Sequence, residues 1–330
     1  MGEPVGILAA ACSLPSTKRT AGELFAEEGL VLTPEIERRL GVREIPICDG
    51  ETASSLAVSA ARKALQKAAV DPTKVDVVVE YSFLPQEYLV PVWNMGNKVQ
   101  AEVGANKSFV VGFSGNGASN FMVALSSAIA LLQENENLKT ALLVAGDATI
   151  PGNRVLNPED PVSILGDSGS ALILQRGADR HVVMDTELLS DGANQDIYYI
   201  PGGSLENPND IDLYRLQLDK PRYDAFPKAS NLRQLTQRLL DRAAIRLSDI
   251  RSAVYTNISS DDQADFQHAF EGRMASACST NVGLHGHLQG TDLVLNYLSL
   301  IESDQLRSGD YVLAASHGMG TMASATLIRC

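Results

Sequence analysis

The stretch Leu65-Gln66-Lys67-Ala68-Ala69-Val70, followed by residues 75–80, has a counterpart 175 residues further along the chain. The counterpart is Leu240-Asp241-Arg242-Ala243-Ala244-Ile245, followed by residues 250–255, and the two align without a gap. Each copy is typical of a helix that leads into a short buried strand. One such pair carries little weight, because many helix–strand units look alike.

Two further pairs keep the same order along the chain. Ala141-Leu142-Leu143-Val144-Ala145-Gly146 aligns with Tyr311-Val312-Leu313-Ala314-Ala315-Ser316. Gly169-Ser170-Ala171-Leu172-Ile173 aligns with Ala323-Ser324-Ala325-Thr326-Leu327. Three ordered pairs predict a duplicated α/β domain, with one half in residues 1–176 and the other in residues 177–330.

Strand and helix patterns alternate along the chain, which indicates an α/β fold. The predicted strands cover residues 5–10, 75–81, 109–113, 140–145, 171–174, 182–188, 253–257, 311–315 and 325–328. The predicted helices cover residues 54–69, 92–103, 118–133, 230–244, 261–275 and 293–300.

The composition is that of a globular protein and argues against two classes of partner. Of the 330 residues, 45% are hydrophobic, and 40 acidic against 27 basic residues give a net charge of −13. Nucleic acids and anionic membranes both select basic surfaces, so we expect neither as a partner. The four cysteines show no metal-site spacing and are expected to be reduced thiols. With no long apolar run and no basic leader, a cytoplasmic location is expected.

Three short motifs follow one another along the chain. They are Gly41-Val42-Arg43-Glu44, Gly166-Asp167-Ser168-Gly169-Ser170-Ala171 and a closing segment, Gly318-Met319-Gly320-Thr321-Met322-Ala323-Ser324-Ala325. In order and spacing they resemble the thiolase superfamily, and within it the ketoacyl-acyl-carrier-protein synthase III branch. The resemblance covers nearly the whole chain. It implies duplicated βαβαβ halves layered α-β-α-β-α, a nucleophile at the start of a buried helix in the first half, and a homodimer.

The nucleophile of that family is a cysteine, and the matching segment here contains none. The segment reads Phe109-Val110-Val111-Gly112-Phe113-Ser114-Gly115-Asn116-Gly117-Ala118-Ser119-Asn120. Counting forward places Gly115 at the position of the cysteine, and counting back from the far end of the helix places Ala118 there. The hydroxyls within reach are those of Ser114 and Ser119. Either could carry an acyl group, or neither, since small residues at a helix start are often simple caps.

The two family residues that assist condensation are also replaced. Thr256 stands where the family has a histidine, and His287 stands where it has an asparagine. The turn that contains His287 ends at Asp292 and resembles the Gly-His-x-Gly-x-x-Asp turn of some acyl-transferring members. A histidine held by a carboxylate suits general-base catalysis toward a serine or an acceptor hydroxyl or amine. The alternatives are an ordinary turn histidine and a helix-start carboxylate.

Other site positions are implied by the resemblance alone. The oxyanion hole would be built from backbone N–H groups at Gly115, Gly318, Met319 and Gly320. Four residues are candidates for the substrate pocket, namely Asn116, Thr256, Asn257 and Trp93. Trp93 suits a core or an interface better than a pocket wall. His285 and His287 have no further ligand at a suitable spacing, so no metal site is expected.

These observations together predict an acyltransferase. It would move an acyl group from a coenzyme A or carrier-protein thioester to a hydroxyl, amine or carbon acceptor in secondary metabolism of the polyketide or fatty-acid type. The thioester is a substrate, and no bound cofactor is expected. Two alternatives stay open, an atypical condensing ketosynthase III and a catalytically silent subunit of a thiolase-fold heterocomplex.

The choice between coenzyme A and a carrier protein depends on surface charge. Carrier proteins are acidic and need a basic docking surface. Four basic residues recur along one predicted helix, namely Lys228, Arg233, Arg238 and Arg242. The adjacent run, residues 259–265, is acidic, which weakens the case for a carrier protein. A solvated helix face is the plainer interpretation of the four basic residues.

Overall fold

Strands and helices alternate in the computed structural model, which describes residues 2–84, 87–88, 93–150, 152–303, 306–318 and 322–330. The strands are β1 (Val5–Ser13), β2 (Lys18–Thr20), β3 (Glu44–Pro46), β4 (Val77–Glu80), β5 (Phe109–Gly112), β6 (Thr140–Asp147), β7 (Val155–Leu156), β8 (Ser163–Ile164), β9 (Ser168–Arg176), β10 (Val182–Ser190), β11 (Tyr198–Tyr199), β12 (Gln217–Leu218), β13 (Ile250–Tyr255), β14 (Tyr311–Gly318) and β15 (Met322–Arg329). The helices are α1 (Ala21–Glu27), α2 (Pro34–Leu40), α3 (Ala53–Ala68), α4 (Met95–Val103), α5 (Asn120–Glu134), α6 (Lys220–Ala225), α7 (Lys228–Ala243), α8 (Ser260–Ala269), α9 (Ser276–His285) and α10 (Thr291–Glu302).

Nine strands form one continuous mixed sheet in the order β13-β14-β15-β10-β1-β9-β6-β4-β5. In the first half β4 runs parallel to β6, β6 antiparallel to β9, and β9 antiparallel to β1. In the second half β13 runs parallel to β14, β14 antiparallel to β15, and β15 antiparallel to β10. The three repeated sequence pairs therefore occupy equivalent strands, and the predicted duplicated α/β fold is confirmed.

The two halves are joined by one pair of strands, and they differ at the outer edges of the sheet. Strands β1 and β10 join them through the pair Gly6–Val182. Strand β5 pairs along its length with β4. Its counterpart beside β13 is reduced to one parallel bridge between Ala253 and Met274. The repeat is thus incomplete at the outer edge of the second half.

Helices cover the sheet in three layers. Helices α3 and α4 pack on strands of the first half, and α7 and α8 pack on strands of the second half. Helices α5 and α10 contact strands of both halves and fill the central core. This is the α-β-α-β-α layering that the resemblance implied. It brings the first turns of the two central helices to the same buried region.

Helix α3 approaches its sheet closely because its inner face is nearly all alanine. Ala57, Ala60 and Ala61 are fully buried. A Cβ at Gly146 would lie 2.0 Å from the Ala53 carbonyl oxygen, so only glycine fits this position of β6. The sequence pattern of small residues thus sets the distance between the outer helix and the strand that leads toward the site.

The nine predicted strands all occur, with differences at their ends, but one helix prediction is wrong. The helix expected over residues 261–275 ends at Ala269, and a second helix begins at Ser276. Gly272 lies between them with φ +74°, a backbone conformation that interrupts a right-handed helix. Val92, where another helix was expected to begin, lies outside the described residues.

Candidate active site

His287 and Asp292 form the centre of the candidate site. His287 follows α9, and its backbone N–H donates to the carbonyl of Ile164 at 2.9 Å, which ties the turn to the first half. Asp292 lies in the first turn of α10. His287 Nδ1 and Asp292 Oδ2 are 2.6 Å apart. The exposed fractions of the two residues are 1% and 0%, so the contact is shielded from solvent.

Backbone amides fix the Asp292 carboxylate. Oδ2 accepts the N–H of Asn257 at 2.7 Å, and Oδ1 accepts the N–H of Leu288 at 2.7 Å. An ionised carboxylate only accepts hydrogen bonds, so His287 Nδ1 is assigned the proton that they share. The lone pair of a neutral imidazole then lies on Nε2. This atom is buried and has no hydrogen-bond partner in the described part of the chain.

The predicted pocket residues Thr256 and Asn257 lie beside this pair, directly after β13. The Asn257 Oδ1 accepts from Gln263 Nε2 at 3.0 Å and from Asn296 Nδ2 at 2.9 Å. The Asn257 Nδ2 and the Thr256 Oγ1 are buried, and neither has a partner among the described residues. Buried polar groups are normally paired, so these open atoms indicate a place where a ligand or water binds.

Asp147, which was not predicted from the sequence, is a second buried acid of the region. It ends β6, and its Oδ1 accepts from the backbone N–H groups of Phe83 at 2.8 Å and Leu84 at 2.7 Å. Burial raises the pKa of Asp147 to about 7 and Glu80 adds to the rise, while the hydrogen bonds from the backbone N–H groups of Leu84 and Phe83 oppose it. An acid directly after a buried apolar run was the available sequence signal.

A cavity of about 650 Å³ lies beside the nucleophile segment, residues 109–120, which matches the segment that carries the family's cysteine. Ser114 and Gly115 line it, and both are exposed. Its aromatic lining comprises Phe83, Tyr88, Tyr198, Tyr199 and Tyr214. His287 is not part of this lining, so the cavity reaches Ser114 without reaching the imidazole.

The nucleophile segment packs against the start of the closing segment. A Cβ at Gly318 would lie 2.1 Å from the carbonyl oxygen of Asn116, so the two backbones are in direct contact. Gly117 has φ +56°, and a Cβ there would lie 3.1 Å from the Gly318 Cα. The structure therefore places Gly318 against Asn116 and Gly117, the two residues that follow the predicted donor Gly115. Met319 and Gly320, the other two predicted donors, lie outside the described residues.

Comparison with known proteins shows which enzymes the chain resembles. It is 25% identical over 311 residues to a ketoacyl-acyl-carrier-protein synthase III of Erythrobacter litoralis, covering 89% of each chain. The crystal structure of the corresponding enzyme from Pseudomonas aeruginosa superposes with a TM-score of 0.82 over 99% of this chain and 98% of the other, at 22% identity. Over nearly its whole length the chain is thus similar to ketoacyl synthase III enzymes of the thiolase superfamily.

Two further comparisons concern another solved structure and the protein-family models. The acyltransferase ChlB3 has a TM-score of 0.81 at 19% identity, over 99% of this chain and 97% of its own. At that identity the likeness concerns the fold. No protein-family model matches the chain.

The two candidate serines of this ketoacyl synthase III-like chain have different surroundings. Ser119 is fully buried, its Oγ is 3.1 Å from Ser316 Oγ, and it accepts from Ser324 Oγ at 3.2 Å. It makes no capping hydrogen bond to α5. Ser114 is exposed in the cavity. No hydrogen bond joins either hydroxyl to His287 in the described residues.

Trp93, Asn116 and Cys278 make no hydrogen bond to the His287–Asp292 pair in the described part of the chain. The Trp93 ring packs edge-on against Tyr88, with 5.2 Å between ring centroids, and so stands behind a residue of the cavity wall. Asn116 donates its backbone N–H to Asn120 Oδ1 at 3.0 Å, which holds the nucleophile segment to α5. Burial raises the pKa of Cys278 to about 12, so this thiol is unreactive.

Three of the four basic residues that recur along α7 form ion pairs with acidic residues. Lys228 pairs with Asp262 at 3.2 Å, and Arg238 pairs with Glu187 at 3.3 Å. Arg242 pairs with both Asp185 and Glu187. Three of the four positive charges on this helix face are therefore balanced by ion pairs, and Arg233 is exposed.

The described residues contain no group of three histidine, cysteine or acidic side chains that could hold a metal ion. Among them no helix combines the length and the apolar character needed to cross a bilayer.

Proposed function

We propose that this protein is an acyltransferase that takes its acyl group from a thioester and passes it to a hydroxyl or amine. The observation that carries the proposal is the buried His287–Asp292 pair with an open Nε2. The names of its relatives, a ketoacyl synthase III and an acyltransferase, support acyl chemistry. A carbon acceptor would need donors that stabilise an enolate, and in the family these are the replaced histidine and asparagine.

In the proposed reaction His287 is the general base. Its Nε2 takes the proton of the acceptor O–H or N–H, while the acceptor atom bonds to the thioester carbonyl carbon. The C–S bond then breaks, and the departing thiolate takes the proton back from the imidazolium. Asp292 keeps the proton of neutral His287 on Nδ1 and stabilises the imidazolium that forms. Atoms and charges balance without a further reactant.

A two-step version of the same reaction uses Ser114. Ser114 lines a cavity that is large enough and apolar enough for an acyl chain. Ser119 is less suited to carry an acyl group because its hydroxyl is enclosed with Ser316 and Ser324. We therefore propose Ser114 as the acylated residue in a two-step reaction. In the first step Ser114 Oγ bonds to the thioester carbonyl carbon, the C–S bond breaks and the serine proton passes to the departing thiolate. In the second step the acceptor atom bonds to the same carbon, the ester C–O bond to Ser114 breaks and the acceptor proton passes to Ser114 Oγ. The ion-paired face of α7 favours coenzyme A over a carrier protein as the donor.

The test is thioester turnover by the wild-type protein and matched variants. Acyl-coenzyme A and acyl-carrier thioesters are incubated with the protein, free thiol is measured, and intact mass with peptide mapping locates any adduct. His287→Ala should slow transfer by at least about 100-fold. His285→Ala, in the same turn but outside the pair, is the control and should keep its rate. Equal rates in all three proteins would refute the proposal.

One observation favours a second candidate function, a silent subunit. His287 Nε2 is buried, and no nucleophilic side chain of the described residues is hydrogen-bonded to it. A subunit that only completes a heterodimer would show no turnover alone and would co-purify with an intact paralogue. Turnover by the isolated chain excludes this function. A longer β-keto product from a malonyl thioester would instead indicate condensation.

A further inference from the structure

Gln289 lies two residues after His287 and has an unsatisfied side chain. The residue is fully buried. Neither its Oε1 nor its Nε2 has a hydrogen-bond partner in the described part of the chain. A buried carboxamide with a donor and an acceptor both open destabilises a folded protein. The contacts of the folded chain alone therefore do not explain this residue.

The backbone of Gln289 is also unfavourable. Its φ is +55°, in the left-handed region that suits glycine and costs energy for a side chain with a Cβ. Ala69 and Ala244 have similar φ values, but both are exposed caps at helix ends. Strained residues that persist in a buried turn are concentrated at functional sites. Glycine would satisfy the backbone here, so the side chain needs a separate reason.

The turn connects Gln289 to the catalytic pair. Its carbonyl accepts the N–H of Asp292 at 3.2 Å, and Asp292 binds both His287 and Asn257. Asn257 Nδ2 and Thr256 Oγ1 are open as well. Several unpaired hydrogen-bonding atoms thus belong to the two segments that Asp292 joins. This grouping is expected of a site that is complete only when a polar ligand binds.

We propose that Gln289 is a specificity-determining residue that binds an amide group of the substrate. Its Nε2 donates to the amide carbonyl oxygen, and its Oε1 accepts from the amide N–H. An amide matches because it offers one acceptor and one donor side by side, as the glutamine side chain does. The proposal rests on the proposed acyl transfer. The amide could come from the pantetheine arm of the thioester or from the acceptor.

The experiment compares substrates with and without an amide in wild type and in Gln289→Gly. Glycine suits the backbone, so this variant should melt at the same or a higher temperature. S-acetyl-N-acetylcysteamine contains an amide, and S-butyl thioacetate does not. Wild type should prefer the first by about tenfold in kcat/KM, the effect of roughly two neutral hydrogen bonds. Gln289→Gly should lose the preference, and Ala244→Gly, the backbone control, should keep it.

Two further experiments complete the test. The first decides whether the amide belongs to the thioester donor or to the acceptor, and the second tests Gln289 even if the protein transfers no acyl group. If wild type shows no preference between the two donors, it should prefer serinamide to ethanolamine as the acceptor. Loss of that acceptor preference in Gln289→Gly would assign the amide to the acceptor. Calorimetry with a thioether analogue of acetyl-coenzyme A, which cannot transfer its acyl group, measures binding without turnover. Binding should weaken about tenfold in Gln289→Gly. Unchanged preferences and unchanged binding in this variant would overturn the proposal.

Discussion

Asp292 Oδ2 lies 2.6 Å from His287 Nδ1. The same oxygen accepts the Asn257 N–H at 2.7 Å, so one buried carboxylate connects the end of β13 to the turn before α10. This arrangement assigns Asp292 two tasks, orienting the imidazole and holding the two segments together. A substitution at Asp292 is therefore expected to change both the rate of acyl transfer and the stability of the two segments that it joins.

Asp292→Asn should abolish most of the transfer activity. The amide presents an N–H₂ group that can replace one acceptor oxygen, so His287 loses the partner that sets its tautomer. We expect acyl transfer to fall by about 10²–10⁴-fold, measured as thiol release from the preferred thioester. Circular dichroism and gel filtration verify that the variant is folded. A loss of less than about threefold would contradict the orienting role.

Asp147 should make stability depend on pH in an unusual direction. Its folded pKa is about 7, above the ordinary value of 3.8, so the folded state keeps a proton that the unfolded state loses between pH 4 and 7. This group's contribution is thus fully present below pH 4 and is lost as pH rises through 7. The loss could reach about 4 kcal/mol, taking about 1.4 kcal/mol for each pKa unit.

Asp147→Asn removes that titration. Urea denaturation of wild type and variant at several pH values from 4.5 to 8 should show the wild type losing stability relative to the variant as pH increases. The difference in stability between wild type and variant removes the contributions of other titratable groups. One of these is His317, whose pKa burial lowers to about 4, so its contribution to stability changes with pH in the opposite direction. A difference between the two proteins that stays constant across this range would argue against a raised pKa.

Ser119 and Ser114 should respond differently to alanine. Ser119→Ala leaves the hydroxyls of Ser316 and Ser324 without their buried partner, so we expect a loss of about 1–2 kcal/mol in the free energy of unfolding. Ser114→Ala removes an exposed hydroxyl and should change stability by less than about 0.5 kcal/mol. Urea unfolding measures both. Equal effects would mean that the buried cluster is not stabilising.

The fold could be predicted because its signals are local or repeated. Each strand of the nine-stranded sheet contains a short apolar run, and three repeated pairs indicated which strands correspond. The helix over residues 261–275 was mispredicted because the left-handed Gly272 has no signal stronger than any other glycine. The reduced counterpart of β5 was not foreseeable, since the bridge at Met274 depends on tertiary packing.

The site was predictable only in part, for a similar reason. His287 and Asp292 are five residues apart, so one turn brings them together. The two serines could not be ranked because the burial of Ser119 depends on Ser316 and Ser324, which lie about 200 residues away in β14 and β15. Asp147 was missed because its amide partners follow the neighbouring strand β4.

Gly318→Ala should disturb the nucleophile segment. The added Cβ would lie 2.1 Å from the Asn116 carbonyl oxygen, a backbone atom that cannot rotate away. We expect a loss of about 1–3 kcal/mol in stability and lower transfer activity. Gly22→Ala is the control, because a Cβ there meets no atom within 4 Å and α1 should gain up to about 1 kcal/mol. Thermal melting of both variants tests this, and a neutral Gly318→Ala would contradict the close contact.

Arg154→Met should be the most destabilising of these substitutions. Arg154 binds Asp167 through two N–O contacts of 2.9 Å, and the side chains are 7% and 0% exposed. Asp167, which lies in the glycine-rich motif 166–171, also accepts the backbone N–H groups of Cys48 and Thr149. Removing the guanidinium leaves a buried unpaired carboxylate, which costs about 3–5 kcal/mol.

The control for Arg154→Met is an ion pair at the surface. Arg246 and Asp249 are 3.3 Å apart, but the Arg246 side chain is 82% exposed, so Arg246→Ala should cost no more than about 0.5 kcal/mol. Urea unfolding at pH 7 compares the two variants. If Arg154→Met costs as little as Arg246→Ala, the Gly-Asp motif does not anchor the loops around Cys48 and Thr149 through this pair. If it costs several times more, the motif holds those loops in place.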